Sequence, residues 1–174
     1  VCSSLNRNSG TMVREKTKME KMLISGVAAD KNVAKIRVAG LGNDPESTFR
    51  LLNLLDRNNL NIDVMIQSLG KDGTKSVSFT VAKPDMLRTI DVLNDNKDSL
   101  GIKKLDYDEN VAKISVIGAG VRSHSGVAAK MFGALANAGI NTEMITTSEI
   151  RITALIDEAY ADQAMRAIHE TFLE

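Results

Sequence analysis

The chain has 174 residues, 43% of them hydrophobic, which is enough to bury the core of one sizeable domain or of two small ones. Its 22 basic and 22 acidic side chains give a formal charge of zero, which argues against nucleic acid and anionic membranes as partners. Cys2 is the single cysteine, and no apolar run approaches the roughly 18 residues of a membrane span. These features predict a globular, cytoplasmic protein.

An internal repeat organises the sequence. The segments VAKIRVAGLG at 33–42 and VAKISVIGAG at 111–120 lie 78 residues apart and agree at seven of ten positions. Each is an alternating, β-branched run that ends in Gly-x-Gly, which predicts a strand followed by a tight loop. The repeat therefore predicts two units of the same design.

The segments after each repeat alternate between helical and strand patterns. In the first unit we predict a helix over 45–58, strands over 63–68 and 76–82, a helix over 84–96 and a short strand near 102–105. In the second unit we predict a helix over 125–138, strands over 143–148 and 150–156, and a helix over 159–172. The first helix of each unit stops at a matching signal, Asn58-Asn59 or Ala138-Gly139. The order is βαββαβ, the ferredoxin-like plan.

Strand counting suggests how the units are connected. The second unit lacks its last strand, whereas the apolar stretch at 22–28 has no partner of its own. We therefore predict an α+β fold of two packed ferredoxin-like units, with the first inserted in the second. The first unit takes residues 30–107, the second takes 22–29 with 108–174, and residues 1–21 precede both.

Three motifs carry a resemblance to a known family. They are NIDVMIQS at 61–68, IGAGVRSHSGV at 117–127 and ITTSEIR at 145–151. With the strand, loop and helix order, they resemble the tandem ACT domains that form the regulatory part of aspartate kinases, over about residues 22–172. Residues 1–21 resemble the end of that family's catalytic domain and a linker.

The resemblance implies a regulatory piece of a kinase that transfers the γ-phosphoryl group of ATP to the side-chain carboxylate of aspartate. No catalytic residue, metal site or cofactor is expected in this chain, whereas the parent enzyme would use ATP and Mg. The implied effector is lysine, threonine or both, as end products of the pathway. The implied partners are a second copy of the chain and the catalytic domain or subunit of the kinase.

A free amino acid carries a carboxylate and an ammonium on one carbon, so its site needs donors and acceptors close together. Helix N-termini supply donors, and the helix-to-strand corners supply oxygen acceptors. A loop of each copy facing the other copy's corner would make two related pockets where the units meet. The preferred pocket comprises Asn61, Ile62, Asp63, Ser123, His124, Gly126, Val127, Ser148 and Glu149. The second pocket comprises Asn43, Asp44, Pro45, Gln67, Ile140, Asn141 and Thr142.

Departures from the family pattern favour the first of these pockets. Asn43 and Glu46 stand where the family commonly has Asp and Gly, which weakens the second pocket. Asp63 and Glu149 are suited to pairing with a side-chain ammonium, which favours lysine over threonine. Asn61 and Asn141 are also explained as turn residues, and Ser148 and Glu149 as polar strand ends.

Other functions fit the sequence less well. The run Gly118-x-Gly120-x-x-Ser123 imitates a dinucleotide-binding loop but lacks the third glycine. An RNA-binding module of this plan needs stacking aromatics, and the chain has two Tyr, four Phe and no Trp. A module that oligomerises through open sheet edges and senses nothing remains the alternative, and it too predicts a homodimer.

Overall fold

A computed structural model describes residues 24–123 and 126–173. Six strands form one antiparallel sheet in the order β2-β3-β1-β4-β6-β5. The strands are β1 Gly26–Leu41, β2 Met65–Leu69, β3 Lys75–Ala82, β4 Lys104–Ile117, β5 Met144–Thr147 and β6 Arg151–Asp157. The helices are α1 Pro45–Arg57, α2 Met86–Asp95, α3 Lys97–Leu100, α4 Gly120–Ser123, α5 Gly126–Asn137 and α6 Ala161–Leu173. Short 3-10 turns, Lys83–Asp85 and Glu158–Tyr160, precede α2 and α6.

Strands β1 and β4 each run through both units. Residues 26–30 pair with 113–117, and residues 33–39 pair with 104–111. The predicted short strand near 102–105 is therefore wrong as a separate element, because it continues without a break into the second copy of the repeat. No Gly or Pro interrupts the chain between Gly101 and Gly118, so nothing in the sequence ends the strand there.

The same pairing supplies the strand that the second unit lacks. The β1 residues 26–30 lie beside the second unit's first strand, as insertion of one unit in the other requires. Met22 and Leu23, which begin the predicted stretch, lie outside the described residues. The boundaries at 29/30 and 107/108 remain a prediction, since β1 and β4 cross them without interruption.

Each unit buries its own core between helices and sheet. The first core includes Ile36, Leu51, Leu55, Phe79 and Leu93. The second core includes Ile114, Met131, Leu135, Ile156 and Ile168. The core positions recur every second residue along the strands, so one face of each strand is covered by helices. This confirms the predicted ferredoxin-like α+β fold.

The corners after α1 and α5 have the same backbone geometry. Asn59 and Gly139 adopt left-handed φ angles of 54° and 71°. In each unit the amide of the following residue donates a hydrogen bond to a carbonyl in the last turn of the helix. Leu60 N donates to Leu55 O at 3.0 Å, and Ile140 N donates to Leu135 O at 2.9 Å. The matched stops predicted from the sequence are thereby confirmed, and they put the chain after each helix on an equivalent path.

A third cluster joins the two units on the sheet face that points away from the helices. Val33 and Val111, which are equivalent in the repeat, are register partners in the β1–β4 pair. They pack with Val64 from the first unit and with Met144 and Leu155 from the second. The units are thus related by approximate twofold symmetry about this point. We call this cluster the junction.

No helix in the described ranges is both long enough and apolar enough to cross a bilayer.

Candidate functional site

A groove of about 220 Å³ opens beside the junction. Its first-unit wall is the corner that carries Asp63 and Val64, and its floor is the face of β4 and β6 opposite the helices. It is lined by Ala28, Ala29, Asp30, Asp63, Val64, Lys113, Ser115, Ile117, Thr146, Ser148, Arg151 and Thr153. Both charge signs and several hydroxyls therefore face one small volume.

Lys113 lies on the floor of this groove. Its ammonium donates to the Asp63 carboxylate and lies 3.2 Å from Asp30 Oδ2. Burial raises the pKa of Asp30, but the backbone amide of Asn32 and the Lys113 ammonium outweigh it and leave that pKa below its usual value. Asp30 is thus ionised at neutral pH, and the ammonium of Lys113 is shared between the carboxylates of Asp30 and Asp63.

Arg151 provides a second cation, which was not among the site residues predicted from the sequence. It begins β6 and is exposed, and within residues 24–123 and 126–173 no ion pair engages its guanidinium. Thr153 lies two residues further along, on the same strand face, and shares a 2.8 Å hydrogen bond with Ser115. The quoted motif ITTSEIR contained this arginine, and the two-residue period of β6 was the signal that would have placed it on the open sheet face.

The structure brings some of the preferred pocket together. Asp63 and Ser148 line the groove from different units. Asn61 and Ile62 line an adjoining depression of about 290 Å³ that shares Asp30, Asp63 and Lys113 with the groove.

Gly126, Val127 and Glu149 are not among the described residues that line the groove. Gly126 is exposed at the start of α5, and Val127 is buried in the second unit's helix-side core. Glu149 is exposed in the turn between β5 and β6. Ser123 ends α4, whereas His124 lies outside the described residues. Their assignment to an effector site remains a prediction.

In the predicted second pocket, the donors at the start of α1 already form hydrogen bonds with Asp44. Asp44 caps α1 by accepting from the amides of Glu46 at 2.9 Å and Ser47 at 2.8 Å, and from the Ser47 hydroxyl. That hydroxyl, followed by the two amides, holds the pKa of Asp44 below its usual value. The ionised Asp44 therefore occupies the helix end that an effector carboxylate would need.

The other members of the second pocket lie in two different units. Gln67 accepts a 2.6 Å hydrogen bond from the Thr48 hydroxyl of α1, and Asn43 and Pro45 flank the Asp44 cap. Ile140 is buried in the second core, Thr142 is half-buried and Asn141 is exposed. The second pocket thus remains a prediction.

Metal binding finds no support in the part of the chain that the structure describes, where no three His, Cys, Asp or Glu side chains are grouped to hold an ion. The expectation that this chain carries no cofactor remains a prediction.

Comparison with known proteins agrees with the fold. The family model described as the ACT domain matches residues 114–172. A crystal structure of aspartokinase alpha and beta subunits is 42% identical, with a TM-score of 0.80, and the match covers 86% of this chain and 98% of that one. The chain belongs to the aspartokinase family. The ligand-free regulatory subunit of aspartate kinase from Thermus thermophilus is 33% identical, with a TM-score of 0.81, and the match covers 86% of this chain and 99% of the subunit.

The match to whole aspartokinases is partial. The aspartokinase of Pseudomonas aeruginosa is 36% identical over 99% of this chain, but the match covers only 42% of that protein. The match covers 99% of a separate regulatory subunit of aspartate kinase. This chain therefore corresponds to the regulatory part of the family.

Proposed function

We propose that this chain is the amino-acid-sensing region of an aspartokinase and that its effector binds in the groove beside the junction. The observation that supports this most is the placement of Arg151 and Asp63 in one small groove, contributed by different units. A zwitterion needs one cation for its carboxylate and one anion for its ammonium, and this groove offers both.

The chemistry of the lining suggests how the ligand lies. The guanidinium of Arg151 pairs with the ligand carboxylate, with the hydroxyls of Ser148 and Thr146 beside it. The ligand ammonium pairs with Asp63 from the other unit. Because Asp30 is a second carboxylate in the same groove, a ligand with two ammonium groups is favoured, which is the case for lysine. Threonine is the second candidate, since the hydroxyls suit its side chain.

The regulatory effect follows from linkage. An effector that binds one arrangement of the units and catalytic domain more tightly shifts the population toward it, and feedback inhibition results if that arrangement is the less active one. A coupling of about 1 to 3 kcal/mol changes activity roughly 5- to 150-fold. The regulated reaction is transfer of the ATP γ-phosphoryl group to aspartate, with Mg, on a catalytic domain or subunit.

A second candidate is an assembly module that binds no effector. Strands β2 and β5 form the two edges of the sheet, and the exposed apolar side chains Met65, Leu69 and Ile145 lie on them. Open edges pair readily with another chain, so a homodimer is expected under either function. Selective ligand binding separates the two.

Thermal unfolding in the presence of free amino acids tests the proposed function. Lysine, threonine, methionine and aspartate are each added to the 174-residue chain, with the melting temperature Tm as the readout. At a concentration 100 times Kd the bound ligand stabilises the fold by about 2.7 kcal/mol, which raises Tm by roughly 5 °C or more. We expect lysine, or threonine, to raise Tm selectively. Equal shifts for all four, or none, would support the assembly module.

A further inference from the structure

The two copies of the repeat each place a lysine against the other unit's corner. Lys35 of the first unit donates to Glu143 of the second, and Lys113 of the second donates to Asp63 of the first. The lysines lie 78 residues apart and the acids lie 80 apart, because the loop between strand and helix carries two extra residues in the second unit. Duplication has thus produced two equivalent ion pairs across the junction.

In both pairs the acid is more accessible than the lysine. The side chain of Lys113 is 14% exposed and that of Asp63 is 58% exposed, while Lys35 and Glu143 are 24% and 35% exposed. A ligand that arrives from solvent therefore meets the carboxylate before the lysine. The Lys113 ammonium also lies 3.2 Å from Oδ2 of a second acid, Asp30. Lys113 therefore keeps an ion pair when Asp63 binds another cation.

Within the residues that the structure describes, the Lys113–Asp63 pair borders the groove that Arg151 lines. Arg151 is the register partner of Ile117, and the equivalent residue Ala39 in the first unit is paired with Ser76. At the place that matches Arg151 the first unit thus has Ser76, and the arginine near the Lys35–Glu143 pair is Arg37, two residues along β1 on the same strand face. The two pairs differ in what they offer a ligand carboxylate, although their lysine–acid chemistry is the same.

We propose that Lys113 is an internal competitor of the effector and sets its affinity. This inference rests on the proposed function. The Lys113 ammonium occupies at Asp63 the place that the ligand ammonium takes, so binding displaces it onto Oδ2 of Asp30, and the other oxygen of Asp30 is left for the second ammonium of the ligand. Displacement breaks the ion pair that ties the first unit's corner to the second unit, which links occupancy of the groove to the packing of the units. Lys35 forms the equivalent ion pair with Glu143 but does not compete with the effector.

The test is calorimetric titration of lysine into the 174-residue chain and into two matched variants. Lys113→Met keeps most of the apolar stem and removes the competing charge, and we expect Kd to fall about two- to fivefold, the range that one partly exposed ion pair supplies. Lys35→Met removes the equivalent charge away from the groove, and we expect Kd to be unchanged. A Kd that is unchanged or weaker in Lys113→Met overturns the inference, as does equal tightening in both variants.

A second measurement uses the unmodified chain, so it remains available if Lys113→Met does not fold. The side-chain ¹⁵N resonances of lysine are followed as unlabelled lysine is added. We expect the Lys113 resonance to move with the binding curve and the Lys35 resonance to stay in place. Saturable binding with a stationary Lys113 overturns this inference alone, whereas the absence of any binding overturns the proposed function.

Discussion

Replacing Phe79 by alanine is expected to lower the free energy of unfolding of the whole chain by about 3 to 5 kcal/mol. Phe79 is fully buried in the first unit's core, where it faces the helices from the middle of β3. Removing its ring leaves a cavity that the surrounding strands and helices fill only in part. Urea unfolding followed by circular dichroism measures the change.

The shape of that transition is as informative as its midpoint. Because β1 and β4 belong to both units, the second unit cannot keep its edge strand once the first has unfolded. We therefore expect one cooperative transition in both proteins, displaced as a whole in the variant. Two transitions, with only one displaced, would show that the units fold independently. Phe49→Ala is the matched control, since Phe49 is 65% exposed on α1 and its loss is expected to cost about 0.5 kcal/mol or less.

Replacing Arg151 by glutamine is expected to weaken effector binding by about 10- to 100-fold. Arg151 is the cation assigned to the ligand carboxylate, and a hydrogen bond to a charged group contributes roughly 1.5 to 3 kcal/mol. Glutamine retains polarity and much of the length but cannot supply the charge or the paired donors. Calorimetric titration with lysine gives Kd, and the Tm without ligand shows whether the fold is intact.

Arg37→Gln provides the control for that experiment. Arg37 is an exposed arginine on β1, in the first unit, and it does not line the groove. Its replacement changes the net charge by the same amount and is expected to leave Kd unchanged. Equal loss of affinity in both variants would indicate a general effect of charge, and unchanged affinity in Arg151→Gln would remove Arg151 from the site.

The sequence was sufficient for the parts of the fold that depend on local pattern. The repeat, the Gly-x-Gly loops and the matched helix ends at Asn59 and Gly139 predicted the ferredoxin-like units and each long helix that the structure describes. These features follow from side-chain periodicity and from the few residues that adopt left-handed backbone. The missing strand of the second unit was inferred from counting alone.

The continuity of β1 and β4 was not predictable in the same way. Periodicity shows where a strand pattern exists, but neighbouring strands decide where pairing ends. The segment 104–110 is polar and would be weak as an isolated strand, yet it is paired along β1 because residues 33–39 lie beside it. Long-range pairing therefore turned two predicted strands into one.

The site was predicted only in part for a related reason. Asp63 and Ser148 were selected on resemblance, and the structure places both on one groove. Arg151 was not selected, because its place on the groove depends on which sheet face meets the other unit, and a single sequence does not contain that information. Asp44 was predicted to contact a ligand, which remains a prediction, and the structure shows that it also forms the N-cap of its own helix.

The most direct test of the claim that an effector binds beside the junction is a methyl NMR titration of the chain labelled with ¹³C at its methionine methyl groups. Met144 lies in the junction cluster with Val64, which lines the groove, whereas Met131 lies in the helix-side core of the second unit. With added lysine, we predict that the Met144 resonance moves along a saturable curve while Met131 stays nearly fixed. Saturable binding that moves Met131 and leaves Met144 unchanged would contradict a site in this groove.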